Sequence, residues 1–383
     1  MRLTRDRVAG APKLSMLPTP VLSTPSPRPP RIKAFDWLRG LAVLFMIETH
    51  ALVLLRPELR TSSPGRQLDW FNGLVAPSFI FAAGFSLALV QVRGAQGPRW
   101  PRVRRSLRRI GEVLAVGLLI NAIWFPWRQE PGWLLRLDIL PCIGLSLLLA
   151  MPLLAGLSRR PIVLSALAFF IAVGLFLLTP YGDTVTGLGA DLLNRNGPHQ
   201  ALFPLLPWAG YIFLGAAVGA LAAGASLRRI QAVLAGIASL GALLSFLSPY
   251  FTAIYPSRLA HVSSPGNHGQ RILVVALVLM ALLFLESRLS ERGRKSLGMR
   301  FVELLGMNSL AGYFFHEMLI YYQIRGISLA GLAKDKLGWG LYLVSWMGLV
   351  LVTTLILKGV EWVYPRYEAL LRGRNSIDAP HQR

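Results

Sequence analysis

Residues 31–55 read RIKAFDWLRGLAVLFMIETHALVLL. An apolar run of this length, near the roughly 20 residues that a bilayer-crossing helix needs, decides the fold class. It carries Asp36 and Arg39 toward one end and Glu48 and His50 toward the other. An ionisable group inside such a span costs a few kcal/mol or more, so it marks a functional site by default. Arg39 and His50 are about three helical turns apart, which sets them on nearly one face and roughly 16 Å apart along the axis.

The rest of the 383-residue chain repeats the pattern. It is 54% apolar, and apolar stretches of about 20 residues alternate with short, Arg-rich loops, which excludes a set of soluble domains. Spans are expected at 35–55, 71–92, 109–127, 137–157, 161–179, 203–224, 228–248, 271–287, 301–323 and 338–363. The expected fold is therefore all-α: a polytopic bundle of about ten transmembrane helices. Residues 1–30, with LPTPVLSTPSPRPP, read as a disordered tail, 31–365 as the membrane domain and 366–383 as a second tail. No internal repeat and no soluble domain is evident.

The net charge of +22 would point to nucleic acid in a soluble protein. Here the Lys and Arg residues fall in alternate loops, as the positive-inside rule requires, and no RNA- or DNA-binding pattern accompanies them. The basic loops include 93–109, 159–160, 228–229 and 288–300, together with both tails, so both termini are expected to be cytoplasmic. Cys142 is the single cysteine, so no intrachain disulfide can form.

Orientation turns the sequence into a depth map. His50 would lie about 22 Å above the cytoplasmic start of its helix. His316 and Glu317 on the ninth span and Asn121 on the third reach a similar height. Asn72, Asp138 and Trp208 sit near the outer beginnings of descending spans. Burying so many polar groups without partners would be expensive, so they are expected to line one hydrated cavity. On the ninth span Ser309, Tyr313 and His316 share a stripe, while Asn308 and Glu317 point to other faces. The outer stretches 181–203 and 249–270 are long enough for a lid or an acceptor-binding rim.

His50 is the leading candidate for chemistry. An imidazole can take a proton from a hydroxyl or amine near neutral pH, or accept an acyl group itself. Glu48 faces away from it, so its partner is expected from another helix, Glu317 or Asp138. The plainer alternative is a structural hydrogen bond. At the cytoplasmic end Asp36 and Arg39 are spaced for a local ion pair. A sharper reading sets Arg39 under the phosphates of a donor, helped by one or two of Arg102, Arg104, Arg105, Arg108 and Arg109, whose other members serve topology. Small residues such as Gly215 and Gly219 are expected to let helices pack closely. No Walker loop, HExxH or GxSxG is present, and the histidines are not spaced as ligands, so no metal is expected.

The run Asp36-Trp-Leu-Arg-Gly-Leu-Ala-Val, with His50 eleven residues after Arg39, resembles the first core helix of the transmembrane acyltransferase superfamily. APSFIFAAGFSLAL (76–89) resembles its next helix. Gly306-Met-Asn-Ser-Leu with Tyr313 and His316-Glu317 is similar to a segment of the heparan-alpha-glucosaminide N-acetyltransferases. Asp138-Ile-Leu-Pro-Cys-Ile-Gly and Phe203-Pro-Leu-Leu-Pro-Trp208 look like its bacterial members. The resemblance runs from about Lys33 to Arg325. It implies transfer of an acyl group, usually acetyl, from cytoplasmic acyl-CoA to a sugar on the other face of a bacterial inner membrane. One segment departs from the family: Gln67-Leu-Asp-Trp-Phe-Asn72-Gly73 has no histidine where the lysosomal enzyme carries its proposed catalytic one. The weight therefore moves to His50 and to direct transfer.

The resulting expectation is a membrane acyltransferase using acyl-CoA, membrane lipid and a carbohydrate acceptor as partners, and no nucleic acid. His50, His316, Glu317 and Asp138 are the catalytic candidates. Arg39, Arg102, Arg104, Arg105, Asn308 and Ser309 are the donor-binding candidates, and Asn72, Asn121, Trp208 and Tyr313 the acceptor-binding ones. A homodimer is one form open to it. The alternative from another class is a transporter or flippase whose polar cavity binds a glycan or lipid headgroup without chemistry.

Overall fold

A computed structural model describes residues 31–128, 133, 134, 136–195, 197, 201–255 and 264–377. The expected N-terminal tail, residues 378–383 and parts of the two long outer stretches lie outside the described residues. The regular structure described is helical, with two isolated β-bridges, Leu55–Leu337 and Ile324–Ile327. The principal helices are α1 (Lys33–Ala51), α2 (Ser63–Asn72), α3 (Val75–Arg93), α4 (Arg99–Arg128), α5 (Ile139–Gly156) and α6 (Pro161–Gly182). They continue with α7 (Leu205–Ala222), α8 (Leu227–Phe246), α9 (Pro265–Arg288), α10 (Leu297–Met307), α11 (Ser309–Tyr321) and α12 (Trp339–Ile377).

Among the described residues eight segments are long and apolar enough to cross a membrane. Helix α4 and the pair α10–α11 occupy the places of the expected third and ninth spans. Large apolar side chains are exposed on the outer helices, among them Ile162 and Phe170 on α6 and Leu351 on α12. Such surfaces are a liability in water and the natural face toward lipid. The protein is an all-α, multi-pass membrane protein.

Four boundaries differ from expectation, each for a local reason. The arginines of 99–109 are not in a loop: α4 begins at Arg99, with Pro101 in its first turn, where its missing N–H costs nothing. Helix α9 begins at Pro265, six residues before the expected 271, because Ser264 caps it through Gly266 N (3.2 Å) and Pro265 sits at its first position. The expected ninth span is broken at Asn308 (φ −106°, ψ 27°), so 301–323 is two helices rather than one. Helix α12 continues to Ile377, so most of the expected C-terminal tail is helical.

Packing relies on glycine where helices cross. A Cβ at Gly215 or Gly219 of α7 would collide with the Phe81 and Phe85 carbonyls of α3, and one at Gly40 of α1 with the Val302 carbonyl of α10. These small residues let backbones approach directly, as the sequence pattern required. Helix α7 lies between α3 and α6, while α1 packs on α3, α9, α10, α11 and α12. The first N–H groups of α1 are not left bare: Lys33 N and Ala34 N donate to the Glu286 carboxylate of α9 at 3.0 and 2.9 Å. Helix α1 is thus anchored at its start and surrounded along its length.

Candidate active site

Helix α1 ends at Ala51, so His50 lies in its last turn. Helix α11 runs beside it and brings His316 and Glu317 to the same level. His50 Nδ1 stands 2.6 Å from His316 Nε2 and 2.7 Å from Glu317 Oε1. The two imidazole rings are nearly parallel, with centroids 4.9 Å apart and an interplanar angle of 6°. Tyr313 meets both rings edge-on, and the Tyr321 hydroxyl donates to the His50 carbonyl at 3.1 Å. His316 is fully buried and Glu317 nearly so, whereas the His50 side chain keeps 26% of its surface accessible.

Hydrogen bonding determines the protons in this cluster. His316 Nδ1 lies 2.8 Å from the Gly312 carbonyl, which can only accept, so in the neutral ring Nδ1 carries the proton and Nε2 is the acceptor. His50 Nδ1–H then donates into the gap between His316 Nε2 and Glu317 Oε1. The lone pair of His50 is left on Nε2. The carboxylate holds the ring in that tautomer and favours its protonated form, which is the arrangement a general base requires.

The same three groups form a possible set of metal ligands, with all donor atoms within 4.8 Å. Two nitrogens on one tetrahedral ion, each about 2.0–2.1 Å from it, would stand roughly 3.3 Å apart. The 2.6 Å separation here is that of a hydrogen bond. As arranged, the groups are hydrogen-bonded to one another through His50 Nδ1.

His50 and Glu317 open onto a cavity of about 380 Å³, also lined by Asn72, Asn121, Asp138 and Tyr313. Asn72 ends α2, Asp138 precedes α5, and Asn121 and Tyr313 lie within α4 and α11, so residues distant in sequence meet at one cavity. Asp138 caps α5, its Oδ1 accepting from Ile139 N at 2.7 Å. Asn121 Nδ2 donates to the Leu134 and Arg136 carbonyls, at 3.1 and 2.9 Å, and ties down the stretch leading to Asp138. Asn72 is 7% exposed and lies within reach of the Glu48 carboxylate.

The remaining expected residues lie elsewhere. Trp208 meets Phe203 edge-on, with centroids 4.8 Å apart, and belongs to a second polar cluster with His268, Arg195 and Arg271. His268 bonds the Tyr211 hydroxyl at 2.9 Å. Ser309, although on the expected stripe, does not line the cavity, whereas Glu317, expected on another face, does. Glu48 turns to α12 and pairs with the Tyr342 hydroxyl. Arg39 pairs with the buried Asp36. Arg102 is itself buried and links three segments, through Gln91 Oε1 (2.8 Å), the Gly94 carbonyl and Ser158 Oγ (3.2 Å). Arg104 and Arg105 are exposed on α4. Asn308 bonds Glu361 Oε1 at 2.8 Å at the break between α10 and α11.

Sequence reasoning did not single out Trp133, Arg136 and Phe203, which also line the cavity. The signal for Arg136 was its place two residues before Asp138. His268 was missed because its segment read as loop; Ser264-Pro265, a capping residue followed by proline, was the available mark of a helix start.

A bundle of apolar helices with a buried His–Glu cluster beside a polar-lined cavity defines a multi-pass membrane protein with a candidate site between its helices. The model of the family described as heparan-alpha-glucosaminide N-acetyltransferase, catalytic, matches residues 31–257, more than half of the chain, and the chain belongs to that family. No curated protein matches it. Membership carries a membrane acetyltransferase-like function. The match contains His50, Asn72, Asn121 and Asp138 and ends before His316 and Glu317.

Proposed function

We propose that this protein moves an acyl group, acetyl first among them, from acyl-CoA to a hydroxyl or amine of a sugar. The donor is taken from the cytoplasm and the acceptor from the opposite face of a bacterial inner membrane, with both termini cytoplasmic. The bias of Lys and Arg among the loops supports that sidedness. Family membership supports the reaction class.

The observation that carries the mechanism is the Gly312 carbonyl–His316–His50 chain, which leaves Nε2 of His50 as the free base. Nε2 takes the proton as the acceptor oxygen or nitrogen attacks the thioester carbonyl. Glu317 stabilises the resulting imidazolium, and Asp138 adds negative charge at the cavity wall. Asn72 Nδ2 and the Tyr313 hydroxyl donate to the oxyanion of the tetrahedral intermediate. Collapse expels the CoA thiolate, and the imidazolium returns its proton to the sulfur. Asn121 shapes the acceptor side through the 134–136 backbone. Arg39, Arg104 and Arg105 receive the donor's phosphates, with Ser309 along its path. Arg102 acts as a staple beneath them.

His50→Ala should abolish transfer of label from acetyl-CoA to membrane glycans while the protein still elutes as a folded species. Near-normal turnover in that variant refutes the mechanism.

A further inference from the structure

We infer that a groove between α10 and α12 binds an anionic phospholipid. The break at Asn308 makes the groove. Helix α11 packs against α12, whereas α10 packs chiefly on α1, so α10 and α12 diverge. The Asn308–Glu361 bond ties the two sides together at the break. The space between them is about 1080 Å³, at the upper limit of roughly 1,000 Å³ for small-ligand pockets.

The walls are suited to acyl chains. Leu304, Met307, Met347, Val350 and Leu351 line it, and several of them are exposed. Its polar wall atoms are already engaged: Thr354 Oγ1 donates to the Val350 carbonyl at 2.7 Å and Trp346 Nε1 to the Leu44 carbonyl at 3.3 Å. A sugar would find few partners on that surface, and hydrocarbon needs none.

The end near Lys33 carries charge. Glu303 is paired with Lys33 (3.1 Å), and Glu361 accepts from Asn308. Arg300 and Lys358 also line the groove and, among the described residues, form no ion pair. Glu361 keeps its charge because its partner is a neutral amide, so Lys33, Arg300 and Lys358 against Glu303 and Glu361 leave one net positive charge beside an apolar cleft, which suits a phosphate headgroup whose lipid has no cation of its own. The groove is distinct from the proposed active site because α1 stands between them: Leu44 faces the groove, and Met46, Thr49 and His50 face the cavity.

The test uses the full chain purified in a neutral detergent, titrated with phosphatidylglycerol or with phosphatidylcholine of the same acyl chains. Thermal unfolding and native mass spectrometry report binding. Phosphatidylglycerol should stabilise the protein selectively. Replacing both cations (Arg300→Gln with Lys358→Gln) should weaken it on the order of thirty-fold, the product of two surface-cation contributions. Met307→Trp with Leu351→Trp should exclude it by filling the cleft. Equal response to the two lipids refutes the inference, as does a doubly neutralised variant that keeps the preference. Displacement of phosphatidylglycerol by CoA, or a change of oligomeric state in the Trp variant, assigns the groove to the donor or to a second copy and overturns it equally. None of these readouts depends on acyl transfer.

Discussion

Glu317→Gln isolates the charge from the hydrogen bond. In the native arrangement Oε1 is 2.7 Å from His50 Nδ1, and His316 Nε2 is a second acceptor at 2.6 Å. Glutamine has nearly the same shape and leaves His316 in place, so the His50 tautomer persists and only the carboxylate charge is lost. Imidazolium and carboxylate centres about 4 Å apart interact by roughly 4 kcal/mol at an effective dielectric of 20. The interaction exists only once His50 has taken the proton, so it acts on the transition state and not on the bound substrates. At about 1.4 kcal/mol per decade, turnover should fall roughly a thousandfold with the acyl-CoA KM unchanged. The assay is transfer of label from acetyl-CoA to glycans in reconstituted membranes, with His316→Phe as comparator. That variant should lose less, because Glu317 still accepts from Nδ1. A Glu317→Gln enzyme within roughly tenfold of wild type, or one whose loss lies in KM, refutes the assignment.

Two further perturbations separate scaffold from site. Gly306→Leu should drive a side chain into the Asp36 carbonyl at the α1–α10 crossing and cost at least the roughly 1–3 kcal/mol of overpacking, read as a lower Tm. Gly298→Ala, where a Cβ meets nothing within 4 Å, should leave Tm unchanged. Arg102→Ala should lower Tm by breaking the links to Gln91, Gly94 and Ser158. Arg104→Gln with Arg105→Gln should instead raise the acyl-CoA KM in a salt-sensitive way with Tm unchanged.

The helices were legible because bilayer crossing imposes a length and an apolarity that no other requirement mimics. A proline or a cap marked the starts that were read within a residue, at Pro161 and Ser226, but the same marks at Ser264-Pro265 were passed over because the segment around them is polar. The break at Asn308 was hidden because Gly306-Met-Asn-Ser sits within an apolar run long enough for one span, which outweighed the cap-forming Asn308 and Ser309. The depth argument succeeded for Asn72, Asn121 and Asp138 because depth follows from counting residues along a helix. It failed for Trp208, whose height is right but whose direction is wrong: Phe203 stands between it and the cavity. Direction also decided the fate of the arginines. Exposure along α4 repeats with the helix, so Arg102 turns inward to Gln91, Gly94 and Ser158 while Arg104 and Arg105 face out.

The pairing of His50 with Glu317 shows where sequence reasoning stops. On an ideal helix His316 and Glu317 are about 100° apart, so a stripe that includes one leaves out the other. Both nevertheless reach His50 Nδ1, because that atom lies between their two directions at the end of a neighbouring helix. A face-by-face reading assigns each residue to one surface and misses an atom shared by two. The arrangement has a chemical consequence. His316 has its own proton held by Gly312 and contributes only a lone pair, while Glu317 contributes charge. The first fixes which nitrogen of His50 is basic, and the second favours its protonation. On the proposed mechanism neither residue needs to touch the substrate, and each would act through His50.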